Sequence, residues 1–552
     1  VLGNPPWERI KIQEQEFFAA RSEDIAGAKN QAERHRRIAA LSASEALPGE
    51  RALARAFEEA KRAAEAASLF AHESGRFPLT GVGDVNTYAL FAETCLALLN
   101  SKGRAGIIVP TGIATDDSTK AFFDHLVQKR RLASLYDFEN REGLFPAVHK
   151  SYKFCLLSLA SGVERGAFVF FATVAEQLAD GRRRFSLTPD DIGRMNPNTR
   201  TCPLFRTRED AALTAKIYRR VPVLVREDGG AAGNPWGVEF LAMFHMSNDS
   251  ALFRTGKELA TKDAVRTGAD WVLPEGGARY VPLYEAKMIH HYDPRWSGYD
   301  PDGERTQNST DEERTRPAYR PAPRYWVPEG EVNTRLAAKR WPHGWLLGWR
   351  DICCATNERT VIASVVPLAG TGDTLLLMFP KVSNAALFAP LVADQSSLVH
   401  DYVARQKIGG THLKYHVKKQ ITVLPPSFYT SPDLAFLVPR VLELTYTLEA
   451  LRPFARDLGH DGPPFSWDPE RRALLRADLD AWYAAAYGLT RDELRYILDP
   501  ADVLGVDFPG ETFRVLKERE ERTFGEYRTA RRVLSSWDRL EAEGLLPRGR
   551  WP

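Results

Sequence analysis

The sequence predicts an α/β protein that ends in a helical region. Short apolar segments alternate with a helical segment between residues 104 and 138, which is typical of an α/β unit. The middle of the chain is rich in short apolar runs and in Trp, Gly and Pro, whereas its last part is charged and has helical periodicity. At 552 residues the chain is too long for one core, so we expect roughly three or four domains.

The first part of the chain predicts a helical arm. Residues 11–75 are rich in Ala, Glu, Arg and Lys, and their apolar positions recur every three or four residues. This pattern predicts a helical hairpin with a break near "LPGE". Residues 84–99, "DVNTYALFAETCLALL", predict a further amphipathic helix.

Three strands are predicted after this arm. "RAGIIVP" (104–110) and "LASLYDF" (132–138) are joined by a helical stretch at 117–131, and this spacing indicates a parallel α/β unit. "KFCLLSLA" (153–160) follows a short loop, which favours an antiparallel strand at the edge of the sheet.

The rest of the chain divides into a β-rich part and a helical part. "TVIASVVP" and "TLLLMFP" predict strands of a separate domain within 226–430. Residues 293–324 are polar and rich in Pro, so they cannot bury a core and we expect a mobile loop. Residues 431–552 are predicted to be helical.

Composition limits the class of protein. The chain is 44% hydrophobic and 26% charged, and its net charge of +2 requires that any basic surface be local. The five cysteines lack the spacing of a zinc site or a disulfide framework, so we expect a reducing compartment and no metal. Without a membrane span or a signal pattern, the sequence predicts a cytoplasmic protein with no membrane partner.

The stretch "GNPPWERI" (3–10) combines parts that an unusual chemistry requires. An exocyclic amine such as adenine N6 attacks poorly because its lone pair is delocalised into the ring. An Asn oxygen and a neighbouring carbonyl can accept its two N–H groups and direct the lone pair at an electrophile. Asn4, Pro5, Pro6 and Trp7 supply an acceptor, a rigid backbone and a ring on which an extruded base could stack.

The alternative for this stretch is a plain Asn-Pro turn. "GNPWG" (233–237) and "NPNT" (196–199) lack the second proline and are expected to be such turns.

Two segments invite a metal reading that we consider weaker. Glu285-x-Lys287 with Asp270 upstream resembles a short nuclease motif, but a strand or a DNA-contact segment explains it better. His290-His291 with Asp293 could suggest metal ligands, yet adjacent side chains diverge on a strand, so we expect a surface loop.

A basic segment at 406–419, "QKIGGTHLKYHVKK", predicts contacts with DNA phosphates. Two glycines allow the backbone to approach closely, and basic side chains surround them. A solvated basic hairpin is the alternative. The candidate residues are Lys407, Gly409, Gly410, His412, Lys414, Lys418 and Lys419.

Several strings in this order resemble one family. After the Asn-Pro-Pro-Trp turn come "YALFAETCLALL", "RAGIIVPTGI" and "LFP" at 144–146. "LYEAKMIHHYDPRW", "TNERTVIASVVP" and "DYVARQKIGGTHLKYHVKKQITVLPP" follow further along the chain. Together they resemble the adenine-specific (N6) DNA methyltransferases of type IIG restriction–modification and phage-defence systems, in which target recognition follows the catalytic domain.

The resemblance implies a fold and a function. Residues 1–225 would be the second half of a Rossmann-like methyltransferase sheet with a helical insertion at about 8–80. Residues 226–430 would be the target-recognition domain that binds double-stranded DNA, and 431–552 a helical C-terminal region. The implied activity is site-specific methylation of adenine N6 from S-adenosylmethionine, with Phe145 stacking on the face of the flipped adenine opposite Trp7.

The resemblance also implies a missing part. In this family the Gly-containing loop that holds S-adenosylmethionine lies before the Asn-Pro-Pro motif, whereas three residues precede Asn4 here. We therefore expect an N-terminal half or a partner subunit that carries the cofactor loop, and cofactor-binding residues in this chain are unknown. "LTGVGDV" (79–85) has no strand before it and is expected to be a helix-entry loop. A non-catalytic DNA sequence-specificity subunit remains the alternative.

Overall fold

A computed structural model describes residues 1–43, 46–150, 152–274, 276–300 and 302–550. The chain divides into two compact units. The first comprises Val1–Gly193 and Thr199–Cys202, and the second comprises Arg194–Asn198 and Pro203–Pro552. The domain boundary predicted at 225 therefore falls within the second unit.

The first unit contains the helical arm and an α/β sheet. Its strands are β1 (Leu2–Gly3), β2 (Ala105–Pro110), β3 (Leu132–Glu139), β4 (Lys153–Leu159), β5 (Gly166–Ala172) and β6 (Phe185–Leu187). Its helices are α1 (Glu14–Ala19), α2 (Glu23–Ala26), α3 (Gln31–Ala40), α4 (Pro48–Glu73), α5 (Thr87–Leu98), α6 (Gly112–Thr115) and α7 (Lys120–Gln128), and α8 (Pro189–Met195) lies at the division.

The six strands form one sheet in the order β1-β2-β4-β3-β5-β6. β2 and β3 run in the same direction, because β4 pairs antiparallel with both. The prediction that β4 is antiparallel is confirmed, but its predicted place at the edge was wrong. β4 is buried along most of its length between two neighbours, as its unbroken apolar run requires.

The helical arm has a small core of its own. Phe18, Ile25, Leu41, Ala54 and Phe57 are buried together in one cluster. α4 begins at Pro48, in the predicted break, because proline is favoured in the first turn of a helix.

The second unit begins with β-rich structure. Its strands are β7 (Glu239–Leu241), β8 (Val265–Thr267), β9 (Asp270–Val272), β10 (Arg279–Tyr284), β11 (Ser297–Tyr299), β12 (Thr306–Asn308), β13 (Trp326–Pro328), β14 (Trp345–Arg350), β15 (Ala363–Pro367), β16 (Gly370–Thr371) and β17 (Leu375–Phe379). One sheet has the order β15-β14-β17-β7, and a second has the order β13-β10-β9-β8 with β16 alongside β10. A shared apolar cluster includes Leu283, Leu346, Val366 and Leu377.

Residues 293–324 do not form the expected mobile loop. Among those described, β11 and β12 pair as a ribbon and a short helix, α11 (Asp311–Arg314), follows. The interior of this segment is ionic: Arg314 Nε lies 3.0 Å from Asp293 Oδ2, and the buried Arg295 donates to Thr447 Oγ1 at 2.8 Å. The prediction was wrong because paired arginines replace the apolar residues on which it depended.

The chain ends in helices, as predicted. The remaining helices of the second unit are α9 (Arg208–Arg220), α10 (Gly256–Ala260), α12 (Glu329–Ala337), α13 (Phe388–Ser396), α14 (Leu398–Arg405), α15 (Tyr415–Lys418), α16 (Ser431–Thr445), α17 (Arg452–Asp457), α18 (Pro469–Ala486), α19 (Arg491–Leu498), α20 (Pro500–Leu504), α21 (Arg514–Phe524) and α22 (Arg528–Ala542). No helix in the described part of the chain is both long and apolar enough to cross a bilayer.

Candidate functional site

The Asn-Pro-Pro-Trp turn directly follows β1. β1 pairs in parallel with β2, with Leu2 opposite Gly106 and Gly3 opposite Ile107. Asn4 therefore lies just beyond the carboxyl end of a parallel strand, where α/β sheets commonly bind ligands.

The start of α5 holds this turn in place. Thr87 Oγ1 donates to the Pro6 carbonyl at 2.8 Å and accepts from the Glu8 amide at 3.0 Å. Asn86 Nδ2 donates to the Trp7 carbonyl at 3.3 Å, while its Oδ1 accepts from Tyr88 N as the cap of α5. The helix cap and the turn are thus one hydrogen-bonded unit.

These contacts leave two acceptors of the turn unused. Among the described residues, none donates to the exposed Asn4 side chain or to the Pro5 carbonyl. The other Asn-Pro turn is different: Asn234 accepts from Val238 N at 2.9 Å and donates to the Val238 carbonyl at 3.1 Å. "GNPWG" is therefore a self-contained turn, as predicted, whereas Asn4 keeps its amide free for another molecule.

Trp7 is fixed on the sheet. Its indole Nε1 donates to the Ile108 carbonyl at 3.3 Å. The half-buried ring packs against an aromatic cluster in which Phe138 and Phe154 stack with centroids 5.3 Å apart.

Phe145 contacts the same cluster from a loop. Its ring meets Phe154 edge-on at 5.0 Å and remains 36% exposed. The fully buried Asn140 holds this loop, because its Nδ2 donates to the carbonyls of Phe145 and Val148 and its Oδ1 accepts from Phe145 N at 2.9 Å. Gly143 makes the turn possible by adopting φ +74°.

The two carboxylates of β3 are already engaged. Asp137 is buried and bonds Thr111 Oγ1 and the Phe171 amide, and burial raises the pKa of its carboxyl group. Glu139 forms ion pairs with Lys153 at 3.1 Å and with Arg141 at 2.6 Å. The site therefore offers uncharged acceptors and aromatic rings rather than a free base.

Sequence reasoning missed the three residues that position this site. Asn86 and Thr87 occupy the cap of a predicted helix, where Asn and Thr are common, so their second contacts left no separate signal. Asn140 follows a strand and precedes a glycine turn, and only its complete burial shows that it holds Phe145.

The predicted DNA-contact residues separate into exposed and buried groups. Gly409 and Gly410 lie on an exposed turn, and a side chain at Gly410 would enter open space. His412 and Lys414 are about half exposed, and both bond Asp351 Oδ2, at 2.8 and 2.7 Å. Lys419 is paired with Glu227 at 2.7 Å.

Lys407 and Lys418 point inward, which does not fit contact with DNA phosphates. The Lys407 ammonium donates to the Met195 carbonyl and to Asn196 Oδ1, and burial lowers its pKa well below the usual range. Lys418 is completely buried. The basic surface thus narrows to His412, Lys414 and Lys419.

The two segments with a possible metal reading have other partners. Glu285 accepts from Tyr299 OH at 2.8 Å, whereas Asp270 pairs with Arg279. His291 and Asp293 are buried rather than on the expected surface loop, because Asp293 is enclosed by arginines. No cluster of His, Cys, Asp and Glu suited to a metal occurs in the described part of the chain.

The glycines of "LTGVGDV" do not fit a cofactor loop. A side chain at Gly81 would come within 2.1 Å of the Ala71 carbonyl, so this turn packs against α4. The Thr80 amide and hydroxyl both bond Glu93 Oε2. The segment joins α4 to α5 and presents no strand end where a cofactor could lie.

Comparisons with known proteins give a limited result. No protein-family model and no curated protein matches the chain. Among solved structures, the type IIG restriction endonuclease BpuSI is 13% identical with a TM-score of 0.26, covering 73% of this chain and 49% of its own. The type IIL restriction–modification enzyme MmeI in complex with DNA is 10% identical with a TM-score of 0.39, covering 84% of this chain and 55% of its own.

A DrdV–DNA complex is 11% identical with a TM-score of 0.35, covering 99% of this chain and 56% of its own. The chain thus spans about half the length of the solved structures it matches. These neighbours include restriction–modification enzymes, but at such identities and TM-scores the similarity assigns no activity to this chain.

Proposed function

We propose that this chain forms the adenine-binding part of a site-specific DNA adenine-N6 methyltransferase of a restriction–modification or phage-defence system. The unused acceptors at Asn4 and Pro5, next to two rings on one aromatic cluster, carry the proposal. The parallel pairing of β1 with β2 supports the assignment of this sheet as half of a Rossmann-like domain.

In this proposal the chain binds and orients a flipped adenine. The two N6 hydrogens donate to Asn4 Oδ1 and the Pro5 carbonyl, which draws the lone pair out of conjugation with the ring. Trp7 and Phe145 flank the base and replace the stacking that it loses outside the duplex. The extra proton on N6 leaves for water after transfer, so no ionised base is required.

The methyl donor would be S-adenosylmethionine, which supplies an electrophilic methyl group. The described residues offer no suitable loop for it, so no step is assigned to them beyond holding the amine. A second half or subunit with the cofactor loop remains a prediction. DNA recognition is assigned to residues 226–430, with Lys414 and Lys419 as phosphate contacts.

Replacing Asn4 tests the proposal. Asn4→Ala in the full-length gene should reduce N6-methyladenine formation by about 10²–10³-fold in rate while leaving DNA affinity unchanged, because it removes an acceptor used only by the reacting amine. Sequencing of genomic DNA for N6-methyladenine, together with a filter-binding assay, measures both. Asn234→Ala is the matched control in the self-contained turn.

Methylation by Asn4→Ala within a few-fold of wild type would refute the assigned role. If the wild-type protein binds DNA but leaves no N6-methyladenine, the non-catalytic specificity subunit is the better description.

A further inference from the structure

The second unit contains a cavity of about 320 Å³ that the proposed function does not use. It is bounded by the His290–Asp293 turn and by residues of α18, α21 and α22. Its volume is at the lower end of the range for small-molecule sites.

The wall of this cavity is rich in arginine. Four carboxylates line it, against six arginines: Arg359, Arg472, Arg476, Arg519, Arg528 and Arg532. Several of these charges are neutralised, since Arg519 pairs with Glu358 at 3.1 Å and Arg359 with Asp401 at 3.0 Å. Arg528 and Arg532 pair with Glu470, whose own side chain is 62% exposed.

Arg472 and Arg476 are the exception. They lie one turn apart on the same face of α18, and neither forms an ion pair with any described residue. Arg472 is 8% exposed and donates only to backbone carbonyls, those of Leu444 and Tyr292. Burial lowers the pKa of both guanidinium groups, which reflects charge held away from water.

Other polar atoms of the wall also lack partners. His291 is 3% exposed, and neither of its ring nitrogens has a hydrogen-bond partner among the described residues. Arg532 Nη1 is likewise buried without an acceptor there. A buried polar group without a partner costs about 1–3 kcal/mol, so a cavity with several donors of this kind requires a ligand that accepts hydrogen bonds.

We propose that this cavity binds the phosphate oxygens of a small phosphorylated molecule. Phosphate offers several acceptor oxygens and a negative charge, and arginine binds it through parallel N–H groups. A duplex backbone is disfavoured because the anchoring groups, His291 and Arg472, lie below the surface. Recognition is through phosphate rather than a base, since Arg472 already covers Trp467 at 3.8 Å and Arg528 covers Phe524 at 4.1 Å.

Pyrophosphate is the probe, measured by titration calorimetry and thermal unfolding of the full chain at constant ionic strength. Wild type should bind pyrophosphate and unfold at a higher temperature with it than with chloride. Arg476→Met should bind at least tenfold more weakly. Without ligand it should unfold at the wild-type temperature or above, because an unpaired buried charge has been removed.

Arg471→Met is the matched control, since Arg471 is adjacent on α18 but points outward to Glu443. It should bind pyrophosphate like wild type. Arg532→Met serves as a second cavity variant and should also bind at least tenfold more weakly.

The absence of a pyrophosphate-specific shift in wild type would overturn the proposal, as would equal affinity in wild type and both cavity variants. Displacement of pyrophosphate by a short duplex oligonucleotide would overturn it in favour of a DNA-backbone site. A fall in the unfolding temperature of ligand-free Arg476→Met, with pyrophosphate affinity retained, would assign Arg476 a purely structural role.

Discussion

Lys418 should make the stability of this protein depend on pH. Its side chain is completely buried, and its Nζ lies 3.4 Å from His400 Nε2. His400 Nδ1 faces the Thr422 carbonyl at 3.1 Å and must donate to it, which leaves Nε2 as an acceptor for the lysine. Burial lowers the pKa of Lys418 from its ordinary value of 10.5 to about 7.

The sign of the effect follows from proton linkage. Between pH 7 and 10.5 the unfolded chain binds a proton at Lys418 that the folded protein does not bind, so the free energy of unfolding rises with pH. The burial penalty is complete below pH 7 and absent above pH 10.5. Each pH unit in this interval is worth about 1.4 kcal/mol, or about 5 kcal/mol in total.

Lys418→Met removes the charge and keeps the length of the side chain. The variant should be more stable than wild type at pH 6.5 by about 3 kcal/mol, after subtracting about 2 kcal/mol for the unpaired His400 Nε2. At pH 10 it should be less stable than wild type, so the two curves should cross. Urea unfolding at several pH values, followed by tryptophan fluorescence, measures the difference.

The same variant tests whether Lys418 contacts DNA. Because its ammonium group is inaccessible, Lys418→Met should bind DNA within a few-fold of wild type. Lys414→Met, at a side chain 47% exposed, is the control and should show no comparable crossing. Parallel stability curves for Lys418→Met and wild type, or a large loss of DNA affinity, would refute the inference from burial.

Three further predictions concern the proposed function. Phe145→Ala should weaken capture of the flipped adenine by about 1–3 kcal/mol and Phe145→Tyr should not, measured by 2-aminopurine fluorescence at the methylated position; equal base extrusion in Phe145→Ala and wild type would contradict the stacking role. The double variant Lys414→Ala/Lys419→Ala should reduce the slope of log affinity against log salt by up to about 1.8, and an unchanged slope would exclude both as phosphate contacts. The chain alone should bind DNA but not S-adenosylmethionine in titration calorimetry, and micromolar cofactor binding would show that the loop was misassigned.

Local patterns were sufficient to predict much of the fold. The strands at 104–110, 132–138 and 153–160 and the helix at 84–99 are present because each is a run whose apolar period fits only one element. β1 was not predicted, since two residues carry no period. The position of β4 between β2 and β3 could not be predicted either, because strand order depends on pairing between distant segments.

The site was harder to predict than the fold. The motif at residues 4–7 was visible because its chemistry depends on consecutive side chains. The direction of a lysine was not visible: Lys414 and Lys418 are one helical turn apart, yet one is half exposed and the other is enclosed. Burial of charge is decided by the surrounding fold, so charge patterning alone overestimated the basic surface.

The attachment of the turn to α5 has a consequence for how the chain can vary. The turn at residues 4–7 and its anchors at Asn86 and Thr87 are the two ends of a long excursion through α1–α4, which closes around its own core. The entropy of closing a loop grows only with the logarithm of its length, by about 0.6 kcal/mol for each doubling. Relatives could therefore lengthen or shorten this excursion greatly while keeping the turn unchanged. The geometry of the site is fixed by two neighbouring side chains, not by the roughly eighty residues that separate them along the chain.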